Sequence, residues 1–332
     1  MVKKDEFKIG ERIVYVEVDS IMPERPEFEF LRDRKFRVKT IKLRKQISQG
    51  LVLPLSVLPA GTSTELDADV TDALGIIKHD PEAEQERRLL LAKGEKQKPH
   101  GKMFGFMMRF GWFRRLFAPK PRKKGFPAWI VKSDEVRIQN KTAMFEIEQA
   151  QETKFTVTEK IDGQSATYFL NRVGLMRKFE FGVCSRNIRL GKPDGSSYWS
   201  VAAKYDIENV LRSLIGKADR IVLQGEIIGP GIQGNKYRVG DYDFYAFNLI
   251  YPDKKIDTVK MKRVLLAHNI KTVPILQTDM PLLETISDMV DFSKGKSTLL
   301  PSQKREGIVM RNYARNISFK VINPEFLLSE EG

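Results

Sequence analysis

The chain has 332 residues, 41% hydrophobic and 30% charged, enough for two soluble domains each with a core of its own. No run approaches the roughly 18 apolar residues of a membrane span, and the opening Met1-Val2-Lys3-Lys4-Asp5-Glu6 lacks the apolar core of a signal peptide, so an intracellular, cytoplasmic location is expected. A net charge of +14 and a pI near 9.6 point to a polyanionic partner, while the single cysteine, Cys184, excludes an internal disulfide and suits a reducing compartment. His79, His100 and His268 are scattered without metal-ligand spacing.

Short β-prone runs come first: residues 12–18, 36–41 and 51–58, punctuated by Pro and Gly. Residues 64–74 and 81–93 read as helices, the second opened by Asp80-Pro81. This pattern predicts a small β-barrel with helical additions, an oligonucleotide-binding (OB) fold, over residues 1–120. From His100 to Gly125 the chain carries eight Lys or Arg and no acid, interleaved with Phe104, Phe106, Phe110, Trp112, Phe113 and Phe117. That mixture suits a phosphate backbone with unstacked bases, and equally an amphipathic helix or linker with its aromatics turned inward.

Residues 121–127 read as a boundary, after which an α+β domain is expected over 121–332. Its predicted strands lie near 154–159, 164–170, 181–186, 221–228, 242–250, 307–312 and 316–321. Helices are predicted over 196–216, 257–268 and 281–294. Near its start lies Glu159-Lys160-Ile161-Asp162-Gly163. A lysine at a strand end before a glycine turn is an amine fixed in a cleft, and neighbouring cations would depress its pKa and make it a nucleophile. Alone the motif is short. Its companions are Gly225-Glu226 in a β-run, Tyr245 and Phe247 on one face of another, Glu306-Gly307 entering a third, and Lys320 on the last.

In this order the elements resemble the covalent nucleotidyltransferases: DNA ligases, RNA ligases and mRNA capping enzymes. The resemblance covers roughly residues 128–328 and implies a domain of antiparallel sheets with flanking helices. Ser165 stands where DNA ligases usually carry Arg, and only twelve residues follow Lys320, which leaves no room for the second OB domain of DNA ligases and capping enzymes. The segment 129–140 and Cys184-Ser185-Arg186-Asn187 are similar to RNA ligase motifs, and the domain order is that of nick-sealing RNA ligases. The final motif departs from the family's Lys-x-Lys, since Ser318 and Ile322 flank Lys320.

The resemblance implies an ATP-dependent RNA ligase joining 3′-OH and 5′-phosphate ends at nicks in a duplex with RNA on the 3′-OH side. The protein is expected to act as a monomer with no membrane partner. Lys160 is the expected nucleophile. Lys320 would hold the α-phosphate and, as a like charge, lower the Lys160 pKa. Arg186 would contact the 5′-phosphate and Arg137 a phosphate of ATP. Glu226 would accept a ribose hydroxyl, Phe247 stack on adenine, and Glu159 accept from the adenine amine. Glu306 would coordinate Mg²⁺ or Mn²⁺. Asp162 and Gly163 complete the nucleotide site, Asp162 open between holding the turn and catalysis. Alternative readings are a GTP-dependent capping-type guanylyltransferase, a DNA ligase, and a nucleic-acid-binding protein without activity.

Overall fold

A computed structural model describes residues 6–43, 46–79, 125–174, 178–191, 193 and 195–330. The chain forms two compact units, Met1–Glu84 with Pro324–Gly332, and Gln85–Asn323. The predicted helix over 81–93, the basic aromatic stretch and the boundary at 120/121 lie outside the described residues.

The first unit is built from short strands: β1 (Val14–Val16), β2 (Ser20–Ile21), β3 (Ile41–Leu43), β4 (Gln46–Ser48), β5 (Leu51–Leu53) and β6 (Ile77–Lys78). They pair antiparallel as β1 with β5, β2 with β6 and β3 with β4. Val14, Val16 and Leu53 point into one core with Met22, Phe28, Leu31, Phe36, Val38 and Leu74. Phe28 and Leu31 come from a 3-10 helix, Pro26–Arg34, which the sequence reading missed. The expected elements are shorter than predicted: the strand over 12–18 is Val14–Val16, and of the one over 36–41 only Ile41 lies in a strand, β3. The helix over 64–74 shrinks to Thr71–Leu74, because Asp67 adopts a left-handed φ of 61° that interrupts a helix. The strand over 51–58 stops at Pro54, which has no amide to donate, and continues as a 3-10 turn.

The second unit holds two sheets. β7 (Phe155–Lys160), β8 (Gln164–Val173), β9 (Lys178–Cys184), β10 (Arg220–Ile228), β11 (Asp243–Ile250) and β12 (Lys271–Thr272) are followed by β13 (Ile275–Met280), β14 (Gly307–Asn312) and β15 (Ile317–Ile322). One sheet has the order β12-β11-β10-β8-β9 and the other β13-β7-β14-β15. All neighbours are antiparallel except β11 and β12. The helix predicted over 196–216 is two helices, Ser197–Lys204 and Ile207–Leu214, broken where Asp206 takes a φ of +46°. Their apolar faces cover one side of the five-stranded sheet together with Thr258–Leu266, burying Val201, Leu211, Met261 and Leu265 against Tyr168, Leu170, Leu223 and Phe244. Thr142–Ala150 and Ile286–Ser293 do the same for the four-stranded sheet, over Phe155, Val157, Ile308, Met310, Phe319 and Val321.

Alternation along the strands then decides what the opposite faces carry. If Phe155 and Val157 face the helices, Thr156, Thr158 and Lys160 face away from them. Antiparallel register sets Lys160 opposite Gly307 and Thr158 opposite Val309, and Val309 in turn opposite Lys320. On the five-stranded sheet Glu226 is registered between Ser165 and Tyr245.

Candidate active site

Lys160 ends β7 on the face turned away from the helices. Its Nζ donates to Glu306 Oε2 at 2.7 Å, and both side chains are largely withdrawn from solvent. Glu306 immediately precedes Gly307, the residue registered against Lys160, so the ladder itself delivers this carboxylate. Burial pushes the Lys160 ammonium down, but Glu306, Glu226 and Asp162 together outweigh it, and its pKa lies above the ordinary lysine value. This reverses the expectation that a like charge would depress it. The cost of crowding cations falls on Lys320 instead: burial, then Lys160 and Arg137, lower it from 10.5 to about 8. Burial likewise pushes Glu306 up, against the pull of Lys160.

The Ile161-Asp162-Gly163 corner is held from the loop after β10. Lys236 Nζ pairs with Asp162 Oδ2, and the Asp162 amide donates to Tyr237 Oη at 3.0 Å. Neither residue was singled out from the sequence, because a lysine and a tyrosine in a Gly-rich loop carry no motif of their own. Gly163 is not in the left-handed region. Its role is clearance: a Cβ there would come 2.4 Å from the Ile227 carbonyl oxygen. Ile161 packs with Ile228, Tyr237 and Val273, and Phe247 and Tyr245 lie against that cluster. The Phe247 ring is backed by the Arg311 guanidinium at 6.0 Å.

As the neighbour of Lys160 on a strand, Glu159 points to the opposite face, where it is 1% exposed. Its carboxylate accepts from Ser297 Oγ and, at 2.8 Å, from the Thr298 amide. The side chain fastens the 295–300 loop, whose Leu299 and Leu300 pack with the Ile161 and Phe247 cluster, so in this structure its carboxylate is engaged by protein donors. Arg137 and Lys320 pair in a parallel bridge, and their charges are close enough to interact. Arg186 lies after β9 and donates from Nη2 and Nε to Asp134 at 2.7 and 3.3 Å. Cys184 is buried, and burial pushes its thiol up to about 12, which keeps it protonated at neutral pH.

The site therefore gathers an amine, an inward carboxylate, two further acids and a cationic end on the facing strands of two sheets, a geometry suited to moving a phosphoryl-linked group. Such a fold and site define a nucleotidyltransferase. A family model described as RNA ligase matches residues 153–322, just over half of the chain, and one described as an OB-fold domain matches residues 1–55. The chain belongs to the RNA ligase family.

Among solved structures it is similar to a Naegleria gruberi RNA ligase with PPi, at 30% identity and a TM-score of 0.78 over 99% of this chain and 90% of that one. It is also similar to a glutamate-to-alanine variant of that ligase with ATP and Mn, at 29% identity and a TM-score of 0.78 over 100% of this chain and 90% of that one. A lysine-to-methionine variant with AMP and Mn matches at 29% identity and 0.78 over 99% and 90%. No curated protein matches by sequence. The expected α+β fold, an N-terminal OB fold before antiparallel sheets, agrees with these findings, as does the expected RNA ligase class. No helix among the described residues is long and apolar enough to cross a membrane.

Proposed function

We propose that this RNA ligase is ATP-dependent, forms a lysyl-AMP on Lys160, and seals 3′-OH to 5′-phosphate ends at nicks in duplexes with RNA on the 3′-OH side. The observation that carries the reading is the Lys160–Glu306 pair at 2.7 Å, with Lys320 on the same face of the same sheet. Relatives solved with ATP and Mn, with AMP and Mn, and with PPi support the nucleotide chemistry.

Lys160, once neutral, attacks the α-phosphorus of ATP; an N–P bond forms and pyrophosphate leaves with the electron pair of the broken P–O bond. Lys320 and Arg137 face the charge on the phosphates. Glu226 accepts from a ribose hydroxyl and Phe247 stacks on adenine. The AMP then passes to a 5′-phosphate held by Arg186, whose planar fork suits two phosphate oxygens. A 3′-hydroxyl finally attacks that activated phosphate and AMP departs.

Among the described residues no three acids or imidazoles come together as a metal site. Mg²⁺ and Mn²⁺ commonly take one or two carboxylates and complete their shell with water and phosphate oxygens, and buried Glu306 fits as such a ligand. Glu306 would hold such an ion, which would supply charge neutralisation for the triphosphate; a Glu306 whose charge is shared with a cation holds the Lys160 proton less firmly.

Incubation with labelled ATP or GTP, followed by denaturing electrophoresis, tests the first step. Label is expected from ATP on the wild-type chain and is lost in Lys160→Ala, while that variant still seals a strand that is already adenylylated. Label retained from GTP alone would favour the guanylyltransferase reading, and no covalent label at all would favour a binding protein. Sealing of nicks with ribose or deoxyribose at the 3′-OH side tests the substrate.

A further inference from the structure

One segment ahead of the nucleophile meets two of the cations on the phosphate side of the site, Lys320 and Arg186. Residues 131–136 form neither helix nor strand, yet they cross from one sheet of the second unit to the other. At the beginning, the Val131 carbonyl accepts from Gln224 Nε2 at 2.9 Å, and Ser133 Oγ lies 2.8 Å from Ser165 Oγ, both partners in the five-stranded sheet. At the end, the Val136 carbonyl accepts from the Lys320 amide at 2.8 Å, and Arg137 bridges to Lys320 in the four-stranded sheet.

Between these ties stand two adjacent carboxylates with different surroundings. Glu135 is inward: it accepts from Ser318 Oγ at 2.5 Å and Arg311 Nη2 at 3.4 Å, and lies 3.8 Å from Lys255 Nζ. Its side chain is 10% exposed and that of Arg311 4%, so each charge depends on the other for solvation. Asp134 is 43% exposed and takes the fork of Arg186 through two donors. It also stands close enough to Lys320 to raise that group's pKa against its other neighbours.

We propose that residues 133–137 are a positioning strap, in which Glu135 anchors the segment through Arg311 and Ser318 while Asp134 sets the plane of the Arg186 guanidinium for the 5′-phosphate of the nucleic acid. This rests on the reading of Arg186 as the 5′-phosphate contact. The physical case is one of freedom and orientation. An arginine on a loop end samples many rotamers, and fixing it in advance lowers the entropic cost of meeting a phosphate. A guanidinium is a planar fork of N–H donors, and two of them on one carboxylate fix the orientation of that plane. Glu135 works one step further back, since the strap cannot shift while its carboxylate compensates the buried Arg311.

The test uses the full chain as wild type, D134A, D134N, R186A and the D134A/R186A double variant. Two rates are measured, covalent labelling from ATP and sealing of a pre-adenylylated nicked duplex, together with the melting temperature. D134A is expected to slow sealing about tenfold more than it slows labelling, about the worth of one charge-assisted contact. D134N, which keeps a hydrogen-bond acceptor, falls between D134A and wild type. The double variant is expected to seal no more slowly than R186A, because Asp134 acts through Arg186. A double variant slowed by the product of the two single effects would overturn the strap, as would D134A sealing at the wild-type rate while R186A is slow. D134A losing labelling and sealing equally, with a lowered melting temperature, would overturn it as well, reducing Asp134 to a structural group. R186A sealing at the wild-type rate would instead overturn the reading of Arg186.

Discussion

At the scale of the residue, two lysines on one sheet face divide their work by environment. Lys160 is kept protonated by three carboxylates, whereas Lys320 is pushed down to about 8 by burial and by the cations beside it. The sequence placed both residues but could not assign the shifts, because those depend on which acids the strand register brings near. Lys320 therefore costs stability for as long as it is charged. Its folded pKa lies below its unfolded value of 10.5, so the penalty is fully present below about pH 8 and fades as pH rises towards 10.5. Lys320→Met removes that penalty. Thermal denaturation across the pH range should show the variant more stable than wild type at pH 7, with the gap closing between about pH 8 and 10.5, while labelling from ATP is lost. A gap independent of pH would mean that the burial of the cation is not its source.

At the scale of the element, the strands were readable where alternation was long and framed by turns, and β7, β8, β10, β11, β14 and β15 lie within a few residues of their expected limits. β12 and β13 were not read, because two residues, and six with three exposed in a row, carry too little alternation. The break at Asp206 was hidden for a different reason: nothing in Lys204-Tyr205-Asp206 announces a left-handed residue within an amphipathic run. Glu159 and Lys160 are neighbours in the motif, yet strand geometry sends adjacent side chains to opposite faces. The motif glycine was legible as a necessity, though not for the right reason. A backbone turn would tolerate Asn or Asp; a Cβ 2.4 Å from the Ile227 carbonyl oxygen would not be tolerated by any side chain. Gly163→Ala should accordingly push β10 away from the Lys160 corner, lowering stability by about 1–3 kcal/mol in a denaturant melt and reducing labelling from ATP. An alanine variant with unchanged stability would show that the corner has room the structure does not display.

At the scale of the whole molecule, the charge of +14 and the pairing of an OB-fold domain with a ligase domain assign two tasks to one chain. The groups proposed for the nucleotide steps, Lys160, Glu226, Glu306, Lys320, Arg137 and Phe247, all lie between Gln85 and Asn323. The first unit contributes none of them. OB folds present strands and loops to oligonucleotides, and a basic chain gains affinity for a phosphate backbone in proportion to the contacts it makes. Deleting residues 1–120 should therefore leave covalent labelling from ATP less affected than sealing of a nick, and the deficit in sealing should grow with salt as remaining phosphate contacts are screened. The C-terminal helix Pro324–Glu330 complicates the cut, because it groups with the first unit, and its Phe326 is 2% exposed in the intact chain. A deletion that also ends at Asn323 removes the whole of that unit and leaves no orphaned apolar helix behind. If the paired truncation labels well and seals poorly, the first unit grips nucleic acid. If both activities fall together and the melting transition broadens, the first unit instead supports the folding of the second.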